Sequence, residues 1–134
     1  MLKDIPEHVV ENIAMAVLPS EDEEGTRQWG VYIINLKEVA IENVLVTSKG
    51  YGRYKGEEVK TSTLRHFIEL IPPQGFARIE PIMETVFGLN NEYWVSFYIG
   101  RQIFERKFLF LPETIRDEYL TMVPVINQPG IVIR

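Results

Sequence analysis

The stretch from Arg27 to Gly52 limits what this chain can fold into more than any other. Two β-branched and aromatic runs, Gln28 to Leu36 and Ile41 to Gly52, flank the short polar break Lys37-Glu38-Val39-Ala40. This is the sequence form of two paired strands. In the first run Trp29, Val31 and Ile33 share one face, and Tyr32, Ile34 and Leu36 share the other. A strand apolar on both faces is central and covered twice. The second run alternates, with Ile41, Val44 and Val46 inward and Glu42 and Thr47 outward, provided a bulge falls near Asn43.

A chain of 134 residues with 46% hydrophobic and 25% charged residues fits one globular domain. It has no cysteine, so structural disulfides, thiolate metal sites and a cysteine nucleophile are excluded. No run has the length of a signal-peptide core or a membrane span, and cytoplasmic residence without membrane contact is expected. The net charge of −5 argues against a protein built around broad nucleic-acid contact.

Taken in order, Ile5 to Asn12 predicts a short helical turn with Asp4 as N-cap. Ile13 to Leu18 predicts a strand, although Val9, Val10, Ile13 and Val17 also share a helical face. Glu21-Asp22-Glu23-Glu24 lacks the spacing of a calcium loop and is expected to be a solvated turn. Thr61 to Ile71 predicts a strand with Leu64, Phe67 and Leu70 buried and His66 on the wet face. Phe76 to Ile82 follows, and Pro81 confines it to an edge. Tyr93 to Ile99 and Gln102 to Leu111 form a hairpin about Gly100-Arg101, with Tyr93, Val95, Phe97 and Ile99 as the stronger face of its first strand. Glu113 to Leu120 is helix-like. Val123, Val125, Ile126, Ile131, Val132 and Ile133 are too apolar for a disordered tail. Pro124, Pro129 and Gly130 oppose a helix there, so this extended segment is a candidate interaction tail. It adds to a sheet edge of its own domain or, as the less favoured alternative, of a partner in a homodimer.

About seven strands at short spacing predict an all-β, two-sheet sandwich. A single domain spans 1–134, with a core over 13–111 and a short helix and extended tail over 112–134. Leu89, four residues before Tyr93, resembles the tyrosine corner of fibronectin type III and related immunoglobulin-like domains. Asn35 to Val46 resembles their second and third strands. The chain is also similar to short single-domain bacterial proteins in which Asn35-Leu36-Lys37, Gly50-Tyr51-Gly52 and Gly88-Leu89-Asn90-Asn91-Glu92-Tyr93-Trp94 recur. Some of these carry the label of a phenylalanyl-tRNA synthetase alpha subunit. That label implies a large catalytic sheet with two arginines on motif strands. Gly50-Tyr51-Gly52-Arg53 is the nearest approach, and no helix pattern follows it.

The chemistry is sparse. There is no phosphate-binding loop, no nucleophile elbow and no His-Glu-x-x-His pair. His8 and His66 lie on different elements, and Asp117 and Glu118 are neighbours that do not face one another. No catalytic residue, metal site or cofactor is predicted. One segment looks functional: Lys49, Arg53 and Lys55, interleaved with Tyr51 and Tyr54 on glycine hinges, could stack bases and neutralise phosphates. Its plainer reading is a loop whose charges are balanced by Glu57 and Glu58. The favoured expectation is a non-catalytic intracellular protein-interaction module with an immunoglobulin-like fold. The alternative is an RNA- or tRNA-associated protein acting through 49–55.

Overall fold

The computed structural model describes residues 10–134; the turn expected over 5–12 and His8 lie largely or wholly outside them. Ten strands occur in chain order: β1 (Ile13–Glu21), β2 (Arg27–Asn35), β3 (Ile41–Tyr54), β4 (Glu57–Lys60), β5 (Leu64–Ile71), β6 (Phe76–Pro81), β7 (Asn90–Ile99), β8 (Gln102–Phe110), β9 (Thr121–Val123) and β10 (Gln128–Ile133). All pairings are antiparallel. The first sheet runs β6-β2-β1-β10-β9. In the second, β5 and β4 lie end to end along one edge of β3, followed by β7 and β8. No helix among the described residues is long and apolar enough to cross a membrane.

Between the sheets, Val31, Ile33, Val44, Val46, Val95, Phe97 and Phe108 belong to one buried cluster with Ile13, Met15 and Val17. The bulge at Asn43, where φ is 48°, keeps Ile41 and Val44 both inward, and the β3–β7 register shifts between Glu42 and Leu45. Pro81 ends β6, an edge strand, where its missing donor costs nothing.

The first sheet has a second core on its outer face. Ala14, Ala16, Leu18 and Ile34 are buried there with Val123, and Val125, Ile126 and Val132 pack against them. The tail is therefore two strands: β10 pairs with β1, and β9 pairs back onto β10. Ile131 and Ile133 point into the inter-sheet core, while the β9–β10 turn folds over the alanines of β1. Two alanines leave the room that this cover needs. The turn is strained, since Val125 sits at φ 71° with Ile126 N–H donating to Pro124 O at 2.8 Å. A β-branched residue there costs about 1–3 kcal/mol, which burial of the turn offsets.

Three expectations need correction. The strands number ten rather than about seven, because the long second run continues as a hairpin arm and the tail adds two more. The helix expected over 113–120 is absent; only Asp117–Tyr119 makes a 3₁₀ turn, and no α-helix occurs among the described residues. Glu113 adopts φ 63°, Thr114 bonds back to Leu111 O, and Arg116 is extended, so the segment is a connection, with Ile115 buried in the core and Leu120 packed against it. Finally, β5 faces otherwise than expected: Phe67 and Leu70 lie outward and exposed, while His66 and Ile68 turn inward on the same row as Leu64, which is exposed at its end. Both alternating sets of β5 contain apolar residues, so periodicity alone does not choose between them.

The core predicts its own sensitivity. Phe97→Ala removes a ring stacked on Phe104 at 5.4 Å and should lower unfolding free energy by about 3–5 kcal/mol in denaturant titration. Deleting 121–134 should lower the midpoint further than that single change, because it uncovers one face of β1 and unpairs its edge. A midpoint unmoved by the deletion would contradict the second core.

Candidate functional site

Thr61, Ser62 and Thr63 separate β4 from β5 and leave a cleft of about 310 Å³ at the edge of the second sheet. Ser48 and Gly50 of β3, Thr61, Glu80 of β6, and Asn91 and Tyr93 of β7 line it. Glu80 is the centre of its polar floor. Ser48 Oγ donates to Glu80 Oε1 at 2.6 Å, and His66 Nε2 lies 2.8 Å from the same oxygen. The buried Tyr93 hydroxyl faces the same carboxylate. Burial first, and the facing Glu80 carboxylate second, push the Tyr93 phenol well above its ordinary pKa. Tyr93 therefore stays protonated.

This set is not a nucleophilic triad. Such a triad needs the imidazole between serine and acid, so that it can take the serine proton. Here the carboxylate stands between Ser48 and His66, and both approach one oxygen. The cluster instead ties an edge strand of the first sheet to β3, β5 and β7 of the second. Among the described residues no group of three or more His, Asp or Glu could hold a metal ion.

The segment 49–55 is mostly strand rather than loop. Lys49 to Tyr54 complete β3, Tyr51 to Tyr54 pair with β4, and Lys55-Gly56, with φ 53° and 82°, form the two-residue turn. Alternation then separates the five candidates: Lys49, Tyr51 and Arg53 face outward, Tyr54 does not, and Lys55 sits in the turn. Lys49 and Lys107 both pair with Glu92, at 3.5 and 3.8 Å, and Tyr51 donates to it at 3.4 Å. Arg53 stands opposite Glu58.

The recurring motifs are joints of the fold. Asn35 is buried and donates to Val39, Ile71 and Pro72 carbonyls, closing the β2–β3 connection over the end of β5. Gly50-Tyr51-Gly52 lies against Leu89-Asn90-Asn91: Asn90 Nδ2 donates to Tyr51 O, and a side chain at Gly52, where φ is 152°, would approach Leu89. Tyr93, the residue of the tyrosine-corner resemblance, is buried and faces Glu80.

The outer face of the second sheet holds what the sequence reading missed. Pairing aligns Phe67, Leu45, Ser96 and Glu105 in one row across the strands, and Arg65, Thr47, Trp94 and Lys107 in the next. Phe67 is 64% exposed and Trp94 44%, with Leu45, Tyr98 and Ile103 also open. Ser48, an inward hydroxyl after Val44 and Val46, was a legible sign of the polar cluster. Nothing local marked Glu80 or the facing of Phe67. The six tail candidates, in contrast, are all packed within their own chain: Ile131 and Ile133 between the sheets, Val123, Val125, Ile126 and Val132 on the outer core.

Comparison with known proteins returned no match to a family model, to a curated protein or to a solved structure.

The polar cluster predicts a pH dependence. With its pKa raised, native Tyr93 keeps a proton that the unfolded chain releases above about pH 10, so its stabilisation is present below that pH and falls as pH rises. The wild-type stability advantage over Tyr93→Phe should shrink by up to about 1.4 kcal/mol per pH unit above that point. Denaturant titrations from about pH 8 to 12 measure it. A constant difference would mean that the phenol ionises in the native state.

Proposed function

We propose that this chain is a non-catalytic protein-interaction module with an immunoglobulin-like fold, acting through the outer face of its second sheet. The strand order supports that fold. With β4 and β5 read as one broken strand, β1, β2 and β6 fall in one sheet and β3, β7 and β8 in the other. Constant-type immunoglobulin domains also divide their first, second and fifth from their third, sixth and seventh strands, but they put the fourth with the first sheet, whereas here β4 and β5 pair with β3. The observation that carries the interaction reading is an asymmetry of cover. The first sheet buries its outer face under the chain's own β9–β10 turn, while the second leaves Leu45, Phe67, Trp94, Tyr98 and Ile103 open. Neighbouring exposed aromatic and aliphatic residues are a mark of interaction surfaces.

A second reading has one specific observation in its favour. Arg65, Thr47, Trp94 and Lys107 share a row, so an exposed indole lies between cations, as in surfaces that stack bases. Against it stand the net charge of −5 and the pairing of Lys49 and Lys107 with the Glu92 carboxylate, which offsets one of their two charges.

Capture experiments with the wild type and with Phe67→Glu and Trp94→Glu test the first reading. A protein held by the wild type should be lost from both variants, with affinity reduced by about 30-fold or more for a central aromatic. Both variants should melt with the wild type, because the residues are exposed. Identical captured sets would end this reading. Salt-sensitive tRNA binding, weakened when Lys49, Arg53 and Lys55 become glutamine, would replace it with the second.

A further inference from the structure

The break between β4 and β5 is built rather than frayed. β4 ends with Lys60 opposite Tyr51 and β5 begins with Leu64 opposite Ser48, so Thr61, Ser62 and Thr63 stand against only Lys49 and Gly50. Thr61 keeps the ladder closed there: its N–H donates to Gly50 O at 2.8 Å, and its hydroxyl oxygen accepts from Gly50 N–H at 2.7 Å. The extra residue carries the chain off the sheet edge and leaves the cleft that Glu80 lines. Gly50 helps to hold it open. No positive φ calls for glycine at this buried position, yet a Cβ would lie 3.0 Å from Thr61 Cγ2 and 3.3 Å from Asn91 Oδ1.

Charge sets what the cleft accepts. Among the described residues that line it, Lys49 and Glu80 are the charged ones. Lys49 turns its ammonium to Glu92 on the outer face, 3.5 Å away, so the Glu80 carboxylate fixes the sign inside. A carboxylate offers about four lone-pair sites. Ser48, His66 and Tyr93 face it, which leaves room for one more donor. Leu64, Met83 and Val86 supply an apolar wall beside it.

We propose that this cleft binds an alkylammonium group, with an N–H donating to Glu80 and the carbon chain lying on Leu64, Met83 and Val86. An ammonium has donors and no acceptor, as a lone carboxylate floor requires. A divalent metal ion asks for more oxygen ligands than one acid supplies, and among the described residues no group of acids and histidines would hold one. The volume of about 310 Å³ suits a group of a few carbons, and the net charge of −5 draws cations toward the protein. The inference is independent of the outer face of the second sheet.

Methyl spectra of the isotope-labelled full chain, titrated with n-butylammonium at about pH 8 where an ordinary imidazole is neutral, test this. Saturable shifts should centre on Thr61, Leu64, Met83 and Val86, with a Kd on the order of 1–10 mM. Butan-1-ol and butyrate keep the chain without the positive charge and should bind about tenfold more weakly or worse. Glu80→Gln keeps the shape of the side chain and should weaken butylammonium by about tenfold or more. Leu64→Lys, at an exposed rim position, sets a cation beside the site without touching the polar floor and should weaken it too, even if Glu80→Gln proves unstable. Nα-acetyl-lysine methylamide separates two sources of the group. Binding as tight as that of butylammonium makes a partner's lysine side chain the occupant, and exclusion of this bulkier probe makes it a free amine. Shifts that do not saturate, equal binding of butan-1-ol, or wild-type affinity in both folded variants would overturn the proposal.

Discussion

The ladder between β1 and β2 joins nine residue pairs, from Ile13 opposite Asn35 to Glu21 opposite Arg27, and over most of its length both of its faces are apolar. A ladder of this kind must be covered twice. On one side the second sheet supplies the cover through Val44, Val46, Val95 and Phe97. On the other side no layer of helices exists among the described residues, so the last fourteen residues double back over Ala14, Ala16 and Ile34. The length of the tail, its apolar content and the small residues of β1 all answer the same requirement. Burial of this strand pair is the term on which the remaining geometry depends.

A sandwich covered in this way still has two open sides, and each is closed by a charged group. On the β5–β6 side, Glu80 accepts from Ser48, meets His66 and faces the Tyr93 hydroxyl. On the opposite side, Arg106 of β8 donates to the main-chain oxygens of Ile13 and Arg134 and lies 4.2 Å over the Phe108 ring. Each crosses from one sheet to the other, where purely apolar packing would leave the sheets free to slide. The Glu80 cluster contains the residue types of a hydrolase, but the order of its contacts assigns it to holding the sheets. Chemistry is decided there by which group is in the middle.

Cover also explains why the exposed apolar face is where it is. The tail can mask only one outer face. It masks the first sheet, whose strands carry alanines that accept it, and leaves the second sheet with its aromatic residues in solvent. Strand β5 follows the same logic. As an edge strand packed on β6, it turns His66 inward to reach Glu80, and Phe67 goes outward as a consequence.

Much of this was set by the sequence alone. The alternation in β2, β3 and β7, the edge position of Pro81, the bulge at Asn43 and the extended, buried tail follow from side-chain period and from what proline and β-branched residues permit. Those signals are local, and they are strong because only one arrangement satisfies each. The tertiary structure decided the rest. The segment 113–120 is no helix because its few apolar residues are not buried as one helical face: Ile115 enters the core, Leu120 packs against it and Tyr119 stays exposed. Lys49 and Gly50 are strand because β7 pairs with them, and Tyr51 to Tyr54 because β4 does. Glu80, Ser48, His66 and Tyr93 come from four strands separated by up to 45 positions, so only folding brings them together. The facing of Phe67 has the same origin: when both sets of a strand contain apolar residues, the partner strand chooses which set is buried.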